Sequence, residues 1–346
     1  MYLTLIFLSL ILFSLLEVKK NKTSSKLFMV YLLLFYLLSF LRWERGTDWL
    51  SYFNLYELPL SYKGAYELPF WLLNVLFGTI LHADYTIFLL FQATIMYFCL
   101  YLGVKKNCKF WILALMLIYV ILGNGGIFFV RQTIAMAIIF FSYSFVKNKN
   151  YISFFICLIF ACCFHMASIF AAPAIFLYNF KITKKYLFYI FACCMVVYFL
   201  LNRGYLDVYI EKIEDYSEIG NETSTVIQYV YGICNRLILF FAFILFGKKN
   251  REESGLMNIY VYSMILYILF GSVSITLARM ANFVTMFQVF QMLLIVERER
   301  KMKKYIFLIF LILLFGGRTL FSVSQYEDLF VPYKSIFNKE LNVKVY

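Results

Sequence analysis

The sequence predicts an all-α, polytopic integral membrane protein of about 10–12 transmembrane helices, some short or broken. Three observations predict it. Of the 346 residues, 63% are hydrophobic, against about 45–50% in soluble domains, and the mean hydropathy is +0.79. The apolar residues form continuous runs, not the alternation that lipid-facing barrel strands require. Lysines gather in short clusters between the runs, as they do in cytoplasmic loops under the positive-inside rule.

A span needs about 20 apolar residues, fewer where aromatic residues cap it. Helices are expected near residues 2–18, 27–41, 85–104, 110–122, 127–146, 185–202, 228–246, 257–274, 279–296 and 305–321. The first run has no basic leader and no small-residue cleavage site, so it reads as a retained helix. Residues 67–82, bounded by Pro69 and His82, are apolar but short. Residues 151–178 are too long for one plain span and carry His165 and Pro173, so they read as two short helices meeting near His165.

Lys19, Lys20, Lys22 and Lys26, then Lys105, Lys106 and Lys109, and the clusters that follow them mark the cytoplasmic side. Alternation then places loops 42–66, 123–126, 203–227 and 275–278 outside, with the tail 322–346. The tally closes if 67–82 dips in without crossing and 151–178 crosses twice. No polar segment is long enough for a separate soluble domain, so residues 1–346 read as a single membrane domain.

The net charge of +13 resides in these loops and does not indicate nucleic acid. The eight cysteines lie mostly inside apolar runs, form no CxxC, and have only two histidines to share a site with. No metal and no cofactor is expected. Arginine is distributed differently from lysine. Arg42, Arg45, Arg131, Arg203, Arg279 and Arg318 fall outside or near the outer leaflet, and Arg236 lies in the outer half of its span. Orientation alone accepts either basic residue. An external excess of arginine therefore suggests that a planar, permanently charged fork is wanted, as for phosphate. Snorkelling to lipid headgroups is the other explanation.

Four stretches could carry chemistry in a cavity at the external face. The first is Arg42-Trp43-Glu44-Arg45-Gly46-Thr47-Asp48-Trp49-Leu50-Ser51-Tyr52, dense in charge and aromatic rings beside a bilayer. In the second, the turn Gly123-Asn124-Gly125-Gly126 leads into a helix carrying Arg131 and Gln132, and a helix start attracts anions. The third holds His165, at the junction of two short helices, whose ordinary pKa near 6.5 lets it accept a proton from a sugar hydroxyl. The fourth begins at Arg279. Asp48 and Glu67 lie on the same side, each a base, a sugar-hydroxyl acceptor or an arginine partner. The loop 203–227 is acidic and reads as a solvated cap.

In order along the chain, these segments resemble the EpsG family of bacterial polysaccharide polymerases, a Wzy-like group. Arg42 with Gly46-Thr47-Asp48 and Tyr52 is similar to its opening motif, with Trp49 where the family often has Tyr. Glu67-x-Pro69-Phe70, Val130-Arg131-Gln132-x2-Ala135, Phe164-His165-Met166-Ala167-Ser168, Arg279 to Phe283 and Pro332-Tyr333-Lys334 resemble later ones. The third departs in its Met-Ala-Ser order, and the fourth has Asn282 in place of Tyr. The resemblance implies a multi-pass protein of the bacterial inner membrane. Such a protein joins undecaprenyl-pyrophosphate-linked oligosaccharide units on the periplasmic side, for O-antigen in lipopolysaccharide, capsule or exopolysaccharide. It also implies membrane lipid, a chain-length regulator and a flippase as partners.

On that reading Arg42, Arg131 and Arg279 bind the pyrophosphate, with Arg45, Arg236, Glu67 and Gln132 as weaker substrate contacts. His165, then Asp48, activates the acceptor. Two other functions remain open. A flippase of lipid-linked oligosaccharide would want charges at several depths. A glycan-ligating or acyl-modifying enzyme would in the acyl case want a donor route from the cytoplasmic side.

Overall fold

The computed structural model describes residues 2–180, 226–248, 250–271, 275–299, 301–325 and 327–338. The span expected at 185–202, residues 203–225 of the acidic loop and the last residues of the tail lie outside these. Among the described residues the chain is helical, apart from an isolated antiparallel pairing of Arg42 with Ser335.

The helices are, in order, α1 (Tyr2–Lys20), α2 (Ser25–Phe40), α3 (Trp49–Glu57), α4 (Leu68–Asn74), α5 (Tyr85–Asn107), α6 (Trp111–Ile121), α7 (Arg131–Lys147), α8 (Tyr151–Phe164), α9 (Ala174–Leu177), α10 (Val226–Phe246), α11 (Arg251–Gly271), α12 (Ile275–Ala278), α13 (Met280–Thr285), α14 (Gln288–Arg298), α15 (Lys301–Gln325) and α16 (Glu327–Phe330). Helices over Tyr2–Lys20, Tyr85–Asn107, Tyr229–Phe246, Arg251–Gly271 and Met280–Arg298 are long and apolar enough to cross a membrane, and shorter apolar helices accompany them. The protein is an all-α polytopic membrane protein. Its chain clusters into two compact units: Met1–Phe145 with Ile152–Ile169 and Leu293–Tyr346, and Val146–Tyr151 with Phe170–Met292.

In the first unit α6 is central. Every residue from Ile112 to Tyr119 is fully buried, as expected of a helix that is apolar all round. It runs antiparallel to α1. At one end Phe7 stacks on Tyr119 at 5.6 Å, and the Tyr119 hydroxyl donates to the Leu3 carbonyl. At the other end the buried Glu17 carboxylate accepts the backbone N–H groups of Trp111, Ile112 and Leu113, at 2.9–3.2 Å, and that of Ser24. A buried helix start otherwise leaves such groups without acceptors. Glu17→Ala is therefore expected to cost about 2 kcal/mol, read as a lower melting midpoint in detergent. An unchanged midpoint would show that water replaces the carboxylate.

Two expected boundaries in this unit move for identifiable reasons. The helix expected at 127–146 begins only at Arg131. The Arg42 guanidinium occupies the carbonyls of Ile127 (3.1 Å) and Phe129 (2.7 Å), and the preceding turn has positive φ at Gly123, Asn124, Gly125 and Gly126. Gly126 has φ +75°, a conformation that side chains other than glycine's rarely adopt. Residues 67–82 form α4 followed by π-helical turns over Val75–Ile80. Trp71 Nε1 donates to Pro59 O at 2.7 Å and the Tyr56 hydroxyl to Ala83 O at 2.6 Å. These bonds tie the piece to α3 and to the turn that follows it.

The stretch 151–178 breaks after Phe164, continues as a 3-10 helix over Met166–Ala171, and ends in α9. Within the second unit the rings of Tyr151 and Phe176 lie 5.9 Å apart, which brings the two ends of that stretch together. Elsewhere in this unit α11 starts at Arg251 and not at the expected 257. Asn250 caps the helix start: Glu253 N–H donates to Asn250 Oδ1 at 2.8 Å, and Glu253 Oε2 accepts Lys248 N–H at 2.7 Å. The helix expected at 279–296 is two pieces, α13 and α14, and Arg279 stands between α12 and α13.

Candidate functional site

In the first unit, three separate segments bring Glu67, Arg131 and His165 together. Pro69, with its fixed φ, stands in the first turn of α4, whose N-cap is Glu67. The Glu67 side chain makes no capping bond. Its Oε2 instead accepts from Arg131 Nη1, and its Oε1 accepts the Met166 N–H at 3.0 Å. His165 Nδ1 lies 3.5 Å from that same Oε1. The Glu67 and Arg131 side chains are 18% and 16% exposed and that of His165 is 30%. All three are enclosed yet reachable.

Each member has a local cause. Arg131 is the first helical residue of α7, where a positive charge opposes the helix dipole by about 0.3–1 kcal/mol. Glu67 offsets this. Three rings hold the guanidinium carbon: Tyr66 at 4.6 Å, Phe70 at 5.3 Å and Tyr52 at 5.7 Å to their centroids. The Tyr52 hydroxyl also accepts from Arg131 Nε at 3.3 Å. Among the described residues, Arg131 Nη2 makes no hydrogen bond. His165 occupies the break after α8, which is held against α4 by the Phe70–Phe164 ring contact at 6.5 Å.

Burial pushes the Tyr52 and Tyr66 phenols above their ordinary pKa, Arg131 pulls both back, and Asp48 adds a smaller upward push on each. They are therefore neutral hydroxyls at physiological pH. The same effect places the Asp48 carboxylate within electrostatic reach of the cluster. Asp48 is the N-cap of α3 and makes no capping bond with its side chain. Gln132 follows Arg131 and is half-buried.

Of the other residues singled out from sequence, Arg42 and Arg45 lie elsewhere in the first unit, and Arg236 and Arg279 belong to the second. Arg42 is 2% exposed. Its guanidinium is spent on the Ile127 and Phe129 carbonyls and on the Phe129 ring, 4.5 Å from the centroid. Arg45 Nη1 donates to the Asp328 carbonyl at 2.9 Å. Both belong to a join between residues 41–46 and the chain's last turns. There Trp43 N–H donates to Lys334 O, Ile336 N–H to Leu41 O and Gly46 N–H to Leu329 O, while Lys334 Nζ meets Glu44 at 2.9 Å. In the second unit Arg236 lies over the Tyr267 ring at 3.5 Å and donates to Gly232 O, and Arg279 is exposed.

Sequence reasoning undervalued two features of the cluster. Tyr66, adjacent to Glu67, was not singled out, although its ring is the nearest to Arg131. The sequence marks Glu67 as one acid among several, while in the fold it accepts from Arg131 and the Met166 N–H and faces His165.

A family model described as the EpsG family matches the chain over residues 26–335. No curated protein and no solved structure matches it.

Proposed function

Since the chain belongs to the EpsG family and is a polysaccharide-related membrane protein, we propose that it polymerises lipid-linked oligosaccharide repeat units. The observation that supports this best is the meeting of Glu67, Arg131 and His165 on three segments, with aromatic rings around the guanidinium.

In the proposed reaction a hydroxyl of the incoming lipid-linked unit attacks the anomeric carbon of the growing chain. A new glycosidic C–O bond forms. The bond to undecaprenyl pyrophosphate breaks, and its electron pair leaves with the pyrophosphate. His165 accepts the hydroxyl proton, with Asp48 as the second candidate. Arg131 binds the pyrophosphate as its negative charge grows, an interaction that strengthens in the transition state. Tethering both substrates in one membrane supplies proximity. Arg42 contributes by building the turn that aims Arg131. Arg279 is the second unit's guanidinium that we assign to a substrate phosphate, with Arg236, Arg45 and Gln132 in lesser roles. This assignment needs no metal.

The lysine clusters then face the cytoplasm of a bacterial inner membrane, and the site faces the periplasm. A flippase and a chain-length regulator are the partners this reaction calls for. The test is the surface glycan of a strain lacking the protein and complemented with His165→Ala. A single repeat unit on the acceptor supports polymerisation. No surface glycan at all indicates a flippase, and full-length polymer from His165→Ala overturns the assignment of the base.

A further inference from the structure

We propose that Glu67 is the positioning residue of this site, fixing both the tautomer of His165 and the aim of Arg131. The inference rests on the reading of His165 as the proton acceptor, and it goes beyond that reading in naming what makes the histidine competent.

A neutral imidazole has one N–H and one lone pair, and the group facing the N–H decides which nitrogen is left to act. Here the facing group at Nδ1 is a carboxylate oxygen at 3.5 Å. An ionised carboxylate accepts and does not donate. It therefore favours the form protonated at Nδ1, with the lone pair on Nε2. Distances of this kind are often long without substrate and tighten when it binds.

Glu67 is not well placed to act as the base itself. Oε2 is held by Arg131 and Oε1 by the Met166 N–H. Those bonds stabilise the ionised carboxylate and make it a poor proton acceptor. They also explain why one side chain can position two others. Oε1 anchors the residue after His165 and therefore the α8 break itself. Oε2 fixes one edge of the Arg131 guanidinium while the Tyr52 hydroxyl takes Nε. The three contacts connect α4, α7 and the end of α8, which are far apart in sequence.

The chain contains only His82 and His165, so histidine spectroscopy can isolate the one that matters. His82 has φ +46°, which asparagine tolerates. A His82→Asn background is therefore a suitable host. In the full-length protein labelled with 15N-histidine, reconstituted in nanodiscs at a pH where imidazole is neutral, His165 is expected to show about a tenfold excess of the Nδ1–H tautomer. Glu67→Ala is expected to return it to the Nε2–H majority of a free imidazole. Glu67→Gln keeps a carbonyl acceptor, so it retains the Nδ1–H excess while lowering polymer yield roughly tenfold through the lost partner of Arg131.

A wild-type spectrum dominated by the Nε2–H form overturns the proposal without any variant at residue 67. The same holds for a ratio unchanged in Glu67→Ala. If the ratio shifts in Glu67→Ala while the glycan chain-length distribution stays normal, Glu67 sets the tautomer but does not aim Arg131, and that half of the proposal falls. The assignment of His165 as base falls with it.

Discussion

Arg131→Lys is expected to reduce polymer formation by about 100-fold or more while leaving the protein folded. The charge is preserved, so a site needing only a cation would be little affected. What lysine cannot reproduce is the fork: Nη1 to Glu67, Nε to the Tyr52 hydroxyl, and a flat face against Tyr52, Tyr66 and Phe70. A point charge on a flexible stem would also sit less well among three rings. Removing one preorganised donor aimed at a developing negative charge typically costs about 10²–10³ in rate. The readout is the glycan ladder of a complemented strain, beside a melting curve of the purified variant. A normal ladder would remove Arg131 from the reaction. A collapsed melting curve would make it a structural residue.

Arg42→Leu is expected to do the opposite, damaging the fold first. Two buried carbonyls, of Ile127 and Phe129, would lose their donor, at about 1–3 kcal/mol each. The stacking on Phe129 adds about 1 kcal/mol. Relief from burying a charge offsets part of this, leaving a net loss of about 3–5 kcal/mol. That is a large share of the stability of a typical domain. The melting midpoint in detergent should drop sharply, and activity should fall with the amount of folded protein. Retained stability with lost polymer would instead return Arg42 to the substrate.

These two arginines show how far the sequence could be read. Arg42 and Arg131 look alike in a sequence: both border apolar runs and both stand in motifs resembling the same family. Only the backbone separates them. Arg42 turns inward because Ile127 and Phe129, just after the Gly123-Asn124-Gly125-Gly126 turn, present carbonyls to it from 85 and 87 residues away along the chain. The class of fold was legible, since a continuous apolar run has few other solutions. The break at His165 was legible for the same reason, the run being too long for one span. The start of α11 is marked in the sequence by Asn250 and Glu253, a capping signal that hydropathy does not register. Glu17 gave no local signal. Its role comes from the neighbouring helix that needs a cap, and that pairing is written nowhere near residue 17. Glu67 was legible as an acid but not as the group shared by Arg131, Met166 and His165. That requires three distant segments to be placed together.

The most direct test of the central claim is reconstitution. The purified protein, in proteoliposomes with the lipid-linked repeat unit of its own strain and a chelator, is predicted to convert that unit into a ladder of longer glycans on the same lipid. His165→Ala and Arg131→Lys should leave the unit unextended. Extension that proceeds equally well with both variants, or that never occurs with the folded wild-type protein, would contradict the account.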